Sequence, residues 1–124
     1  MLKILYLGFF GGMGCVARYT VSGWVYAFAG RTLPYGTLAV NVVGSLLLGL
    51  IMEGSLRSTL LSPDLRFGLT VGFMGGFTTF STFSYETVKL LEEGSLVAAG
   101  ANILLNVIVC VVAAIIGIYL ARQM

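Results

Sequence analysis

Residues 72–86 read Gly72-Phe73-Met74-Gly75-Gly76-Phe77-Thr78-Thr79-Phe80-Ser81-Thr82-Phe83-Ser84-Tyr85-Glu86, a stretch rich in glycine, hydroxyl and aromatic side chains. It belongs to an uncharged run of 19 residues, 67–85, between Arg66 and Glu86. That is close to the roughly 20 apolar residues a helix needs to cross a bilayer. Yet the run is unlike a helix that faces only lipid. Adjacent Gly75 and Gly76 weaken a helix in mid-membrane, and Thr78 and Thr79 carry hydroxyls able to bond backbone groups released by a break. The reading is therefore a transmembrane helix over 67–90, broken near 75–79. The competing reading of the two glycines is close helix packing. Broken backbone at this depth is tolerated only where it is buried in protein or lines an aqueous cavity. Its freed carbonyls suit a cation, and its freed amides and positive helix end suit an anion.

Working outward, 21 uncharged residues (32–52) separate Arg31 from Glu53, and 28 (94–121) separate Glu93 from Arg122. Each is long enough to span. A further span from Ile4 to Ala29 is interrupted by Arg18, which must face protein or water, because a lipid-facing guanidinium at mid-depth costs at least ~2.5 kcal/mol. The run after Lys3 continues past Arg18 without a signal-peptide cleavage site, so it reads as a retained helix. Four helices, roughly 4–29, 33–52, 67–90 and 96–121, thus occupy 1–124 as a single transmembrane domain. With 58% hydrophobic and 10% charged residues, and mean hydropathy +1.00, the chain has too little polar surface for a soluble domain and reads as an all-α membrane protein surrounded by lipid.

The same composition excludes several functions. Net charge is +2 with no dense basic cluster, so nucleic acid is not an expected partner. There is no His, and Cys15 and Cys110 lie far apart in apolar runs, which indicates neither a metal-ligand cluster nor a disulfide. No base and nucleophile pair suggests an enzyme. An even number of spans puts Lys3, Arg57, Arg66 and Arg122 on one side and Arg31 and Lys89 on the other. So small a bias is compatible with insertion both ways. Four helices also enclose little volume for a lined pathway, which favours a homo-oligomer.

Polar and aromatic residues mark the candidate site. Phe80 and Phe83 are three apart and share a helical face, with Ser81, Thr82 and Glu86 beside them. A ring's positive edge can flank a dehydrated anion without trapping it, although aromatic packing explains the same spacing. Asn41 is an amide within an otherwise apolar second span, near Thr37; Asn102 and Asn106 are four apart on the fourth. These amides either bond between helices or donate to an anion as polar lining.

These residues resemble the Fluc (CrcB) family of fluoride channels. The likeness covers the whole chain: Gly11-Gly12 through Gly14 to Arg18-Tyr19, Gly36-Thr37-Leu38 through Asn41 and Gly44, and above all Gly72-Phe73 through Gly75-Gly76-Phe77-Thr78-Thr79-Phe80-Ser81-Thr82-Phe83. The resemblance implies an antiparallel, dual-topology homodimer in the bacterial inner membrane that exports fluoride passively through two pores, with the broken third helices crossing at the two-fold axis. It implies a structural central sodium ion on the backbone carbonyls of Gly75 and Thr78, and no organic cofactor. It further implies pore roles for Phe80, Phe83, Asn41, Thr37, Ser81, Thr82 and Glu86, and a vestibule role for Arg18. The alternative is a small dual-topology drug/proton antiporter. That chemistry needs a titratable intramembrane acid, and Glu86 lies toward the end of its span.

Overall fold

The computed structural model describes residues 1–124 and is entirely helical. Three crossings are continuous: α1 (Leu2–Ala29), α2 (Tyr35–Arg57) and α5 (Leu96–Arg122). The remaining crossing is split into α3, residues 63–77, and α4 (Phe80–Glu92). Both termini and the α2–α3 connection lie at one end of the bundle, and the α1–α2 and α4–α5 connections at the other.

The helix limits differ from the expected ones for identifiable reasons. Rather than ending at residue 52, α2 continues to Arg57, because the Glu53 carboxylate is held by Arg57 at 3.3 Å and by Arg122 of α5 at 3.0 Å. Rather than starting at 67, α3 starts at Pro63. Ser62 accepts the Leu65 N–H at 3.2 Å, Pro63 occupies the first turn, and Asp64 faces the positive helix end. At the other ends, Gly30 and Gly94 stop α1 and α4 with φ of 78° and 77°, a left-handed conformation that glycine adopts without a Cβ clash.

The break itself falls on Thr78 and Thr79, not on the glycines. Gly75 and Gly76 sit inside the last helical turn of α3, Met74–Phe77. Thr78 (φ −89°, ψ 160°) and Thr79 (φ −154°, ψ 118°) are extended. Thr78 Oγ1 bonds back to the Met74 carbonyl at 2.9 Å, closing α3, and Thr79 Oγ1 accepts the Thr82 N–H at 3.2 Å, opening α4. Two hydroxyls thus satisfy backbone groups that an interruption would otherwise orphan.

Gly76 has the packing role that the competing reading gave it. A Cβ there would stand 2.5 Å from the Gly11 carbonyl oxygen, and one on Gly14 would collide with the Phe73 carbonyl, so α1 and α3 touch backbone to backbone. The α2–α5 pair does the same: a Cβ on Gly49 would lie 2.5 Å from the Ala114 carbonyl oxygen, and one on Gly117 would strike that of Leu46. Small residues allow this approach in a medium where burial of apolar surface gives no drive. Gly75 instead points outward, with nothing within 4 Å of its Cβ position.

Only 20 of 124 residues are buried, and Val40 is the sole large side chain that is completely so. Large apolar residues are exposed along every crossing, among them Phe9, Trp24, Leu48, Phe80, Ile108 and Tyr119. A soluble monomer would not expose so much. The chain is an integral, multi-pass membrane protein whose outer faces meet lipid or another chain.

Candidate functional site

The extended Thr78–Thr79 segment separates two concavities. The first, about 550 Å³, opens among Arg31, Lys89 and Glu93 and reaches inward past Arg18, Tyr26, Thr37 and Glu86 to Thr82 and Thr79. Its wall on α1 consists of Cys15, Arg18, Tyr19, Ser22 and Tyr26, spaced by three or four as one helical face requires. Arg18 is half-buried and makes no ion pair, so its charge faces this cavity. Deeper in, Thr37 donates to Glu86 Oε1 at 2.5 Å and Tyr26 donates to Oε2 at 3.3 Å. The carboxylate therefore joins α1, α2 and α4. At the mouth, the Arg31 guanidinium lies 4.5 Å from the Tyr26 ring centroid, a cation–π distance.

The second concavity, about 320 Å³, lies on the far side of the break between α2, α4 and α5. Its walls carry Asn41, Ser45, Phe80, Phe83, Asn106 and Cys110, and Thr79 lines it too. The Phe80 and Phe83 rings meet edge to face, centroids 5.3 Å apart at 61°. Phe83 is 7% exposed and Phe80 78%, so one ring is fixed inside the chain and the other stands at its surface.

The expected site residues thus fall into distinct places. Phe80, Phe83, Asn41 and Asn106 share the apolar groove; Thr37, Thr82, Glu86 and Arg18 share the polar cavity. Ser81 lines neither and is exposed, although its hydroxyl is 3.4 Å from Thr79 Oγ1. Asn102 is 2% exposed and buried between helices. The donors of Asn41, expected to turn toward an anion, are both engaged: one meets the Thr79 carbonyl at 3.1 Å and the other Asn106 Oδ1 at 3.0 Å.

Gly75 and Thr78 carry carbonyls that no helical donor claims. In an unbroken helix the Thr79 N–H would bond the Gly75 carbonyl, but here it donates to Asn41 Oδ1 at 2.8 Å. The Thr82 N–H, which would serve the Thr78 carbonyl, goes to Thr79 Oγ1. With Gly75 exposed and lacking a side chain, such oxygens fit a hard cation. Two further residues join the site unannounced by any local pattern: Tyr26, eight residues beyond Arg18 on the same face, and Thr87, four residues beyond Phe83.

Fold and site together define a class: small, multi-pass helical membrane proteins with polar and aromatic concavities meeting at a broken mid-membrane helix. The chain belongs to the CrcB family, since the family described as CrcB-like protein, Camphor Resistance (CrcB), matches residues 5–118. It is 70% identical over 123 residues, 99% of this chain and 100% of the relative, to the Fluoride-specific ion channel FluC of Syntrophotalea carbinolica. It is 59% identical to the protein of the same description from Geotalea daltonii, covering 98% of both chains. The corresponding protein of Geobacter metallireducens is 58% identical over the full length of both.

Proposed function

We propose that this chain is a fluoride-specific ion channel, working as an antiparallel homodimer that lets fluoride leave the cytoplasm passively. The observation that carries the reading is the meeting of a hydroxyl-lined cavity and a phenylalanine groove at one residue, Thr79, in a chain whose full-length relatives are described as fluoride-specific channels. Arg18 attracts the anion into the vestibule. The Thr82 hydroxyl, which accepts from Thr79 Oγ1 and keeps its own proton free, replaces part of its water, while the Thr37 hydroxyl on the cavity wall is held by Glu86. The edges of Phe80 and Phe83 then carry it through the apolar stretch, while Asn41 forms the wall between the two. Neutral donors and ring edges hold fluoride weakly enough to release it.

A second copy supplies what one chain lacks. Phe80 and Gly75 lie on an exposed face, and the groove beside them is open, so two antiparallel copies would enclose two pores there. The Gly75 and Thr78 carbonyls would hold a sodium ion at that junction. When bound, it would offset the dipoles of carbonyls brought together from both copies. The negative interior potential supplies the driving force, ~2.3 kcal/mol per 100 mV.

The test is anion efflux from liposomes containing only the purified chain. Fluoride should leave much faster than chloride, with no proton gradient or ATP. Equal fluxes of the two anions would refute specificity, and flux that required an opposing proton gradient would favour an antiporter working through Glu86.

A further inference from the structure

Polar side chains beside the break form a continuous hydrogen-bonded line from Asn41 to Thr87. Asn41 clamps Thr79 at both backbone groups, with Oδ1 accepting the N–H at 2.8 Å and Nδ2 donating to the C=O at 3.1 Å. The other hydrogen of Nδ2 goes to Asn106 Oδ1 at 3.0 Å. Asn106 Nδ2 donates onward to the Asn102 carbonyl at 3.0 Å and to Asn102 Oδ1 at 3.1 Å. Asn102 Nδ2 donates to Thr87 Oγ1 at 2.9 Å, and the Thr87 hydroxyl donates to the Phe83 carbonyl at 2.8 Å.

Donation runs in one direction along this line, from Asn41 through Asn106 and Asn102 to Thr87. Its ends are backbone groups of Thr79 and Phe83, which cannot reverse their polarity. Turning any one amide over would place oxygen against oxygen or donor against donor, in surroundings where Asn102, Asn106 and Thr87 are 2%, 6% and 7% exposed. The line therefore has a single favourable arrangement. It is also built into the shape of α5: the helix widens into a π turn at Leu105–Val109, where the Asn106 side chain takes up the carbonyl of Asn102.

The geometry points to a positioning role for Asn106, Asn102 and Thr87: they fix the rotamer of Asn41, and through it the extended Thr78–Thr79 segment where the two concavities meet, while tying that segment to Phe83. This rests on the proposed ion pathway, and it gives the α5 amides a role that needs no contact with the ion, although Asn106 stands on the wall of the phenylalanine groove. An anion-lining role would need free donors, whereas those of Asn106 already face Asn102.

The experiment measures amide hydrogen exchange at Thr79 in the purified chain and, separately, fluoride efflux from liposomes. Asn106→Leu keeps the volume but removes the oxygen that Asn41 needs. It should speed Thr79 exchange about tenfold, as loss of one buried hydrogen bond implies, and lower fluoride flux by a similar factor. Asn106→Asp keeps that oxygen, and burial favours its neutral form. It should hold exchange and flux within about threefold of the parent, since partners are largely kept. Thr87→Val, at a residue that lines neither concavity, should speed Thr79 exchange by a smaller factor and serves if Asn106→Leu does not assemble. Unchanged Thr79 exchange in both Asn106→Leu and Thr87→Val would overturn the positioning role, as would Asp behaving worse than Leu, the mark of direct contact with an anion. Absence of fluoride flux in the parent would instead overturn the channel reading, and Thr79 exchange would still decide the clamp.

Discussion

Thr79 carries four roles at once: it ends the extended segment, caps α4, offers both backbone groups to Asn41, and lines both concavities. Its neighbours can be tested singly. Asn41→Asp places a carboxylate oxygen against the Thr79 carbonyl and Asn106 Oδ1, two acceptors that now receive donors. Each lost bond at such a position costs about 1–3 kcal/mol, so the variant should unfold at lower denaturant and reduce fluoride efflux to background. Parent-like efflux would remove Asn41 from the pathway. Phe80 and Phe83 separate packing from conduction, because only Phe83 is buried. Phe83→Ile should cost about 1–2 kcal/mol and Phe80→Ile little, yet both should lose most fluoride flux per assembled dimer if ring edges contact the ion. Wild-type flux in both would refute that contact.

At the scale of elements, the interruption of the third crossing was legible, and its cause was not. Hydropathy marks where a span lies, and the Gly75-Gly76 pair drew attention to mid-membrane. What stops the helix is the Thr78-Thr79 pair together with an amide from α2, 38 residues away in sequence, a partnership that no local pattern records. The extension of α2 to Arg57 was hidden similarly, since only the fold brings Arg122 to Glu53. The adjacent glycines make opposite predictions. Gly76→Ala must push α1 and α3 apart, because its Cβ would lie 2.5 Å from the Gly11 carbonyl oxygen, and should destabilise by about 1–3 kcal/mol. Gly75→Ala meets nothing within the chain and should leave the monomer fold intact. Any effect it has on dimer stability, read from subunit exchange in detergent, reports on a second copy over that face.

Across the whole molecule, the sequence told of four crossings and a lipid-facing exterior, because runs of about 20 uncharged residues have few other uses. It could not tell which polar residues look into a cavity and which bind one another. Asn41, Asn102 and Asn106 present the same amide in the same kind of apolar run, and only tertiary placement distinguishes a clamp from a lining. The loop charges also leave orientation open, with Lys3, Arg57, Arg66 and Arg122 at one end against Arg31 and Lys89 at the other. A single cysteine placed at the C-terminus of a variant lacking Cys15 and Cys110 should be labelled from both sides of the membrane. Labelling from one side only would rule out dual insertion.

The side-chain bonding around the break is completed within one chain, since no buried side-chain nitrogen or oxygen lacks a partner. The side chains of a lone copy can therefore hold their arrangement in the bilayer, and the proposed pairing would be a late docking of preformed surfaces. Its rate should then grow with the square of the number of inserted copies per membrane area. If the proposed pathway needs two copies, most copies at low expression would be folded but electrically silent, and resistance to fluoride would rise more steeply than protein abundance.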